Sequence, residues 1–327
     1  MRQRFPEVLA WMQLAVLSVV ILPCYTLSSS SASTAPLLSK VLVTGASGRT
    51  GQLVFEQLLN HPDYEPYALV RSEKSGKKLR KLVPKTDLNQ IVVCDVASPS
   101  SMETLPSIVS QCEAMIICTS AVPSVSKRSL AMAFLKIPFR LIRGLKPVDF
   151  RSLKFVWKNG GHPEKVDYEG QVAQIDLAKR LNMKQVVIVS SMGGTDPSNF
   201  LNSVGKNADG SGNGDILLWK RKAEKYCVES GLDYCIIHPG GLIDTPPGQE
   251  DFVLDVDDKL IKETKRSISR ADVASLCVAA LSVGKGKKLA FDCITQERME
   301  NGEKRVRSAE QALEEFMKEA KVYDYAL

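Results

Sequence analysis

The stretch Thr44-Gly45-Ala46-Ser47-Gly48-Arg49-Thr50-Gly51 decides the fold of this 327-residue chain. It follows a short apolar β-type run, residues 40–43, and leads into residues 52–59, whose apolar spacing is that of a helix. A strand, a tight glycine turn and a helix start form an anion site, because the free amides of the first helical turn and the positive end of the helix dipole converge there. We therefore expect a phosphate-bearing ligand to be held by Gly45, Ser47, Gly48, Arg49, Thr50 and Gly51.

Strand-like and helix-like segments alternate along the rest of the chain. This alternation predicts an α/β protein with a Rossmann-type, doubly wound parallel sheet and helices on both faces. The predicted strands are residues 40–44, 67–70, 91–94, 114–118, 185–190, 234–238 and 289–292. The predicted helices are residues 50–60, 73–82, 100–110, 163–181, 216–230, 270–283 and 309–321.

Residues 1–35 have the composition of a cleavable targeting leader. Arg2 and Arg4 precede an apolar run over residues 8–22, and a tract of Ser, Ala and Thr follows. A charged start, a short apolar stretch and small residues are typical of a secretory signal. A retained signal anchor is the alternative. Residues 36–327 are then expected to form a single NAD(P)-binding domain.

Cysteine usage argues against export to an oxidising space. Beyond the leader seven cysteines remain, an odd number, with no Cys-x-x-Cys pair and no spacing typical of metal ligands. The chain also lacks an Asn-x-Ser/Thr sequon. Proteins imported into complex plastids carry a signal peptide followed by a Ser-rich stretch without acidic residues. Residues 1–35 have this pattern, so we expect a plastid protein. The ER or the extracellular space is the alternative, and no metal site is predicted.

The tips of the second, third and fourth strands predict which dinucleotide is bound. Arg71 follows the second strand, where an NAD site usually carries a carboxylate, so Arg71 together with Arg49 favours the 2′-phosphate of NADP(H). The alternative is that Arg71 is a solvated surface charge. Asp95 and Val96 follow the third strand, where Asp95 would accept a hydrogen bond from the adenine. Small polar residues follow the fourth strand and leave room for the cofactor: Thr119, Ser120 and Ala121.

Further motifs resemble those of a known family. The G-x-x-G-x-x-G spacing, Leu69-Val70-Arg71-Ser72, Ser191-Met192-Gly193-Gly194-Thr195 and residues 219–224 are similar to atypical short-chain dehydrogenases/reductases, and in particular to plant plastid-type NADP-binding proteins. The similarity covers about residues 38–295. It implies that Lys222 binds the nicotinamide ribose. It also implies that the loop His238-Pro239-Gly240-Gly241 lies near the nicotinamide.

The same resemblance leaves the catalytic residues incomplete. Members of this superfamily use a serine and a Tyr-x-x-x-Lys helix, in which the tyrosine supplies a proton. Ser191 and Lys222 match the serine and the lysine, but Leu218 stands four residues before Lys222. Several other proton donors remain possible: Ser191, water, the substrate, Tyr168, Tyr226 and His238. For His238 a contact to the cofactor or the substrate is the favoured role.

An inserted segment, residues 124–160, carries most of the net charge. It contains nine Lys or Arg and one acid, Asp149, whereas the whole chain has a net charge of +6. Residues 127–143 mix apolar and basic side chains, with Pro138 expected to interrupt any helix. The segment could contact a membrane surface or a protein partner, form a lid over a hydrophobic substrate, or be a solvated excursion. No recognised nucleic-acid module accompanies the charge.

The predicted function is an NADPH-dependent oxidoreductase that acts on a small-molecule carbonyl, enone or quinone. Quinones and activated alkenes are favoured because their anionic intermediates need less help from a proton donor. The alternative is a non-catalytic NADP(H)-binding regulatory or assembly protein, since leucine cannot replace the proton-donating tyrosine.

Overall fold

The predicted strand-turn-helix unit lies in the middle of a large sheet. The structure, a computed structural model, describes residues 39–147, 153–157, 161–207, 209–300 and 302–326. In it β1 (Ser39–Thr44) runs into the glycine turn, and α1 (Gly51–Leu59) follows. Val54, Phe55 and Leu58 are fully buried, so α1 packs its apolar side against the sheet. The predicted leader lies outside the described residues.

Eight strands form the central sheet, and seven of them are parallel. Around β1, the strands of this sheet are β2 (Tyr64–Val70), β3 (Ile91–Val93), β4 (Ala114–Ile117), β7 (Gln185–Val189), β8 (Tyr234–Pro239), β10 (Asp251–Asp255) and β12 (Lys288–Gln296). Their order is β10-β12-β8-β7-β4-β1-β2-β3, and β10 alone runs antiparallel. The predicted doubly wound α/β sheet is therefore confirmed.

Short strand pairs lie outside this sheet: β5 (Pro123–Val125) with β6 (Phe155–Trp157), β9 (Gly241–Ile243) with β11 (Ser267–Ser269), and β13 (Arg298–Glu300) with β14 (Glu303–Arg305). The helices that follow α1 are α2 (Glu73–Leu82), α3 (Pro99–Glu103), α4 (Lys127–Ile142), α5 (Gly170–Arg180), α6 (Phe200–Ser203), α7 (Ile216–Glu229), α8 (Arg270–Ser282) and α9 (Ala309–Lys318). Within the described residues, no helix has both the length and the apolar character to cross a bilayer.

The register of the strands brings their carboxyl ends to one edge. Thr44, the last residue of β1, pairs with Leu69 of β2 and with Ile117 of β4. The glycine turn and the residues after β2 and β4 therefore emerge side by side. In sheets of this kind the ligand binds outside this edge, where the chain crosses from one face to the other.

Four stretches of the chain differ from the prediction. The predicted helix 100–110 is interrupted: α3 ends at Glu103, and a separate 3-10 turn covers Ser107–Gln111 after Pro106, which cannot donate a helical hydrogen bond. α4 continues through Pro138, because a proline removes one helical hydrogen bond but does not forbid a helix that good helix formers support on both sides. The predicted helix 163–181 begins as a π-helix, Glu164–Glu169, before α5. β10 was not predicted, because its apolar residues are flanked by acids.

Candidate functional site

The glycine turn forms a close-fitting cradle. Gly45 has a positive φ of 65°, and a Cβ atom there would lie 2.8 Å from the carbonyl of Cys118. A Cβ on Gly51 would lie 2.4 Å from the carbonyl oxygen of Gly45. The backbone amides of Arg49, Thr50 and Gly51 donate no hydrogen bond to any residue that the structure describes. The predicted turn residues thus fit the diphosphate of a dinucleotide.

Two cations lie beside this turn at the end predicted for the adenosine. Arg71 follows β2 directly, is exposed, and forms no ion pair with the described residues. Lys78 of α2 donates from Nζ to the carbonyl oxygen of Ser47, at 3.0 Å. The sequence did not single out Lys78, because it is one of five Lys or Arg residues in α2. The Asp95 carboxylate accepts from the amide of Ala97 at 3.1 Å, which orders the turn after β3.

Arg49 does not join Arg71 in this structure. Its guanidinium donates to the carboxylate of Asp244, which also pairs with Arg270 at 2.7 Å. Asp244 lies just after β9, so Arg49 bridges from the glycine turn to the loop after the sixth parallel strand. A 2′-phosphate would have to compete with Asp244 for Arg49.

A cleft of about 290 Å³ opens in front of the turn. The cleft is lined by the turn, the residues at the ends of β4 and β7, the β5–β6 pair, β9, α6 with the loop after it, and α7. The lining residues are Thr50, Cys118, Ser120, Pro123, Trp157, Val189, Ser190, Ser191, Leu201, Val204, Ile216, Leu217, Lys220 and Leu242.

The lysine in this cleft is Lys220, not the predicted Lys222. Lys220 is buried, and its Nζ lies 2.7 Å from Oδ1 of Asp167, a fully buried carboxylate. Lys222 is exposed and lies over the ring of Trp219, at 4.0 Å from the centroid. Residues that are two positions apart on a helix point in directions about 200° apart, so Lys220 and Lys222 cannot face the same side.

Asp167 connects Lys220 to the strand tip that follows β4. Its Oδ2 accepts from the amide of Ala121 at 3.0 Å, and the side chain of Gln174 donates to Oγ1 of Thr119 at 3.1 Å. Asp167 belongs to the π-helix before α5, a type of local widening that is frequent at functional sites. The predicted residues Thr119, Ser120 and Ala121 are therefore held in place next to the lysine.

The two serines after β7 have different environments. The Ser190 hydroxyl is buried and donates to Glu224 of α7. The predicted Ser191 is half-buried and donates to the carbonyl of Met192 at 3.1 Å, a weak local bond that a ligand oxygen could replace. Cys118 also lines the cleft, but burial raises the pKa of its thiol to about 12, which makes it a poor nucleophile.

The tyrosine position is occupied by Ile216, four residues before Lys220. Ile216 lines the cleft, whereas Leu218, the predicted substitute, does not. Tyr226 donates to Asp176 at 2.6 Å, and Tyr168 packs against Trp219. Among the described residues that line the cleft there is no tyrosine.

His238 does not line the cleft but is buried among polar side chains. Its Nε2 lies 3.1 Å from Glu224, its Nδ1 lies 3.6 Å from Asp292, and its ring packs on Tyr323. Burial would lower the pKa of His238, but Glu224 and Asp292 outweigh that effect and raise it. Glu224 also accepts from Ser190, so His238 is separated from the cleft by one carboxylate and one serine. The next residues, Pro239, Gly240 and Gly241, bring the backbone to Leu242, which lines the cleft.

Comparisons with known proteins agree with this geometry. A family model described as NAD(P)H-binding matches residues 45–283. Sanguinarine reductase of Eschscholzia californica is 38% identical over 260 residues, which are 77% of this chain and 87% of that protein. An uncharacterized chloroplastic protein of Arabidopsis thaliana is 38% identical over 265 residues, 81% of this chain and 71% of that protein.

A solved structure shares the fold. The oxidoreductase ylbE from Lactococcus lactis superposes with a TM-score of 0.52 and 19% identity, over 87% of this chain and 100% of that one. Within the described residues, no group of three His, Cys, Asp or Glu side chains is arranged to hold a metal ion.

Proposed function

The chain belongs to the NAD(P)H-binding family of Rossmann-type proteins, and we propose that it is an NADPH-dependent reductase of a carbonyl, enone or quinone. The observation that carries this proposal is the buried Lys220 beside Ser191, in a cleft that begins at the glycine turn. The similarity to a protein named a reductase supports it.

Most of the residues in and around the cleft would bind the cofactor, and one would contact the substrate. The glycine turn would hold the diphosphate, and Arg71 with Lys78 would bind the 2′-phosphate. Lys220, held in place by Asp167, would donate hydrogen bonds to the nicotinamide ribose. NADPH, when bound, supplies a hydride. Ser191 would donate a hydrogen bond to the substrate oxygen, where negative charge develops.

The missing tyrosine narrows the substrate class. Ile216 cannot donate a proton to the substrate, so the favoured substrates are those whose reduced anion is stable by itself. Quinones and activated alkenes are such substrates. The same observation favours the second candidate, a non-catalytic NADP(H)-binding regulatory or assembly protein. A plastid location is also part of the proposal, supported by the chloroplastic relative.

The first experiment is a calorimetric titration of the protein with NADPH and with NADH. Arg71→Ala is expected to weaken NADPH binding by about 1.5–3 kcal/mol, since a hydrogen-bonded charge is lost, and to leave NADH binding unchanged. Arg80→Ala is the matched control, because Arg80 is exposed on α2 about 200° around the helix from Lys78.

The outcomes separate the candidates. If Arg71→Ala binds NADPH and NADH as tightly as the wild type, Arg71 does not bind the 2′-phosphate. No binding of either nucleotide to the wild type would overturn the proposed reductase. Tight NADPH binding without oxidation by any quinone, enone or carbonyl in a broad panel would favour the non-catalytic protein.

A further inference from the structure

The helix α4 exposes an unusual number of large apolar side chains. Ile142 is 84% exposed, Phe139 71% and Leu135 68%, and no residue of α4 is buried. The other apolar side chains of α4 that are at least 41% exposed are Leu130, Met132, Phe134 and Leu141. Contiguous exposed apolar surface on a folded protein marks a site of interaction.

Only one side of α4 contacts other residues that the structure describes. The half-buried residues recur at helical spacing: Ser129, Ala133, Ile137 and Arg140. The Ser129 hydroxyl accepts from the amide of Lys154 at 2.8 Å, and Arg140 donates to the carbonyl of Lys146 at 2.8 Å. The apolar side chains from Leu130 to Phe139 therefore face outward, over an arc of roughly 180°.

The outward face is strongly basic. Residues 124–147 contain six Lys or Arg and no acid. By helical direction, Lys136 and Arg143 flank the apolar arc on one side, whereas Lys127 and Arg128, in the first turn of α4, point out within the arc. Long basic side chains beside an apolar face can reach phosphate groups while the apolar residues enter the layer beneath them.

We propose that α4 docks on an anionic lipid surface, with its apolar arc inserted among the headgroups and its basic residues paired with lipid phosphates. A protein groove normally receives a narrow stripe of helix positions, whereas the apolar arc of α4 covers half of its circumference. A lid over the cleft would place α4 side chains in the cleft wall, and none of the residues lining the cleft belongs to α4. The charge selects an anionic surface.

The insertion connects this surface to the cleft. β5 and β6 pair antiparallel on either side of α4 in the chain, and Pro123 and Trp157, opposite each other in that pair, both line the cleft. Docking of α4 would therefore bring the cleft close to the lipid surface. The docking itself does not depend on the proposed reductase activity.

Hydrogen exchange of the full chain tests the proposal at the helix itself. Vesicles of phosphatidylcholine and phosphatidylglycerol in equal parts are expected to slow amide exchange over residues 127–142. Vesicles of phosphatidylcholine alone are expected to leave that exchange unchanged. The comparison of the two vesicle types controls for binding through residues 1–38, since tethering by an apolar segment would act in both.

Paired variants test the charge and the apolar arc separately. Lys136→Glu with Arg143→Glu is expected to weaken the vesicle-dependent protection by roughly tenfold or more in lipid concentration. Lys287→Glu with Lys318→Glu changes the net charge equally at exposed positions elsewhere and is expected to have no effect. Phe139→Ser with Ile142→Ser is expected to abolish protection.

Three results would overturn the proposal. The first is no protection of residues 127–142 by anionic vesicles. The second is full protection in Phe139→Ser with Ile142→Ser, which would mean that charge alone attracts the helix and nothing inserts. The third is self-association, seen by sedimentation and lost in that variant, without vesicle binding, which would assign α4 to a second copy of this chain.

Discussion

Lys220 and Lys222 form a natural test pair, since one lies in the cleft and the other on the surface of the same helix. Lys220→Met is expected to weaken NADPH binding tenfold or more, because hydrogen bonds from a charged group are worth about 1.5–3 kcal/mol. Lys222→Met is expected to bind NADPH like the wild type. Calorimetric titration of both variants makes the measurement.

Removing Lys220 alone leaves the buried Asp167 unpaired, which destabilises a fold by about 3–5 kcal/mol. Lys220→Met combined with Asp167→Asn removes that charge and is the variant to compare when the single one unfolds. Equal NADPH affinity of the 220 and 222 variants would refute the role of Lys220.

The sequence predicted a lysine on this helix but placed it at 222. Residues 220–222 are all basic, and only tertiary packing reveals which of them faces inward.

Behind α7, the segment 321–326 acts as a packed element although it has no regular structure. Arg221 lies over the rings of Tyr323 and Tyr325, at 5.1 and 4.3 Å from their centroids, and donates to the carbonyl of Asp324 at 2.6 Å. Tyr323 is 6% exposed, whereas its neighbour Val322 is 81% exposed. Tyr323→Ala is expected to lower the free energy of unfolding by about 3 kcal/mol, as for a buried aromatic residue. Val322→Ala should leave it unchanged.

Denaturant unfolding of the two variants measures this difference, and similar stability of both would show that the segment contributes nothing to α7. Most regular elements were predictable from the sequence: α2 begins and ends at the predicted residues, and the predicted strands differ from the observed ones by a few residues at their ends. The predicted helix 100–110 was wrong, because the structure has only α3 and a separate 3-10 turn there. The segment 321–326 was not, because its packing depends on contacts with Arg221 and His238, far away in sequence.

For the molecule as a whole, the buried group around Asp292 predicts how stability depends on pH. Burial and the nearby Asp258 raise the pKa of Asp292 to about 7, from 3.8. Between these two values the folded state binds more protons than the unfolded state, so this carboxyl lowers stability as pH rises. Asp292→Asn imitates the protonated form. The variant is expected to gain stability over the wild type by up to about 1.4 kcal/mol per pH unit in that window.

Thermal or denaturant unfolding at a series of pH values gives the difference between variant and wild type, and a difference independent of pH would contradict the prediction. His238 acts in the same direction: its raised pKa stabilises the fold at low pH, and this contribution is lost as pH rises. Composition and alternation predicted the parallel sheet. They did not predict that Asp292, His238, Glu224 and Asp258 come together, because these residues are far apart in sequence and meet only when the sheet is complete.

Trp157 gives the protein an intrinsic optical reporter. Its indole lines the cleft and donates to the carbonyl of Asn213, while Trp219 lies outside the cleft, against Lys222. Tryptophan emission overlaps the absorption of reduced nicotinamides, so occupancy of the cleft is expected to quench Trp157 by energy transfer and to excite nicotinamide fluorescence. Trp11 and Trp219 are the two other tryptophans, and replacing both by phenylalanine would leave Trp157 as the sole tryptophan. Cofactor arrival could then be followed in real time without any label.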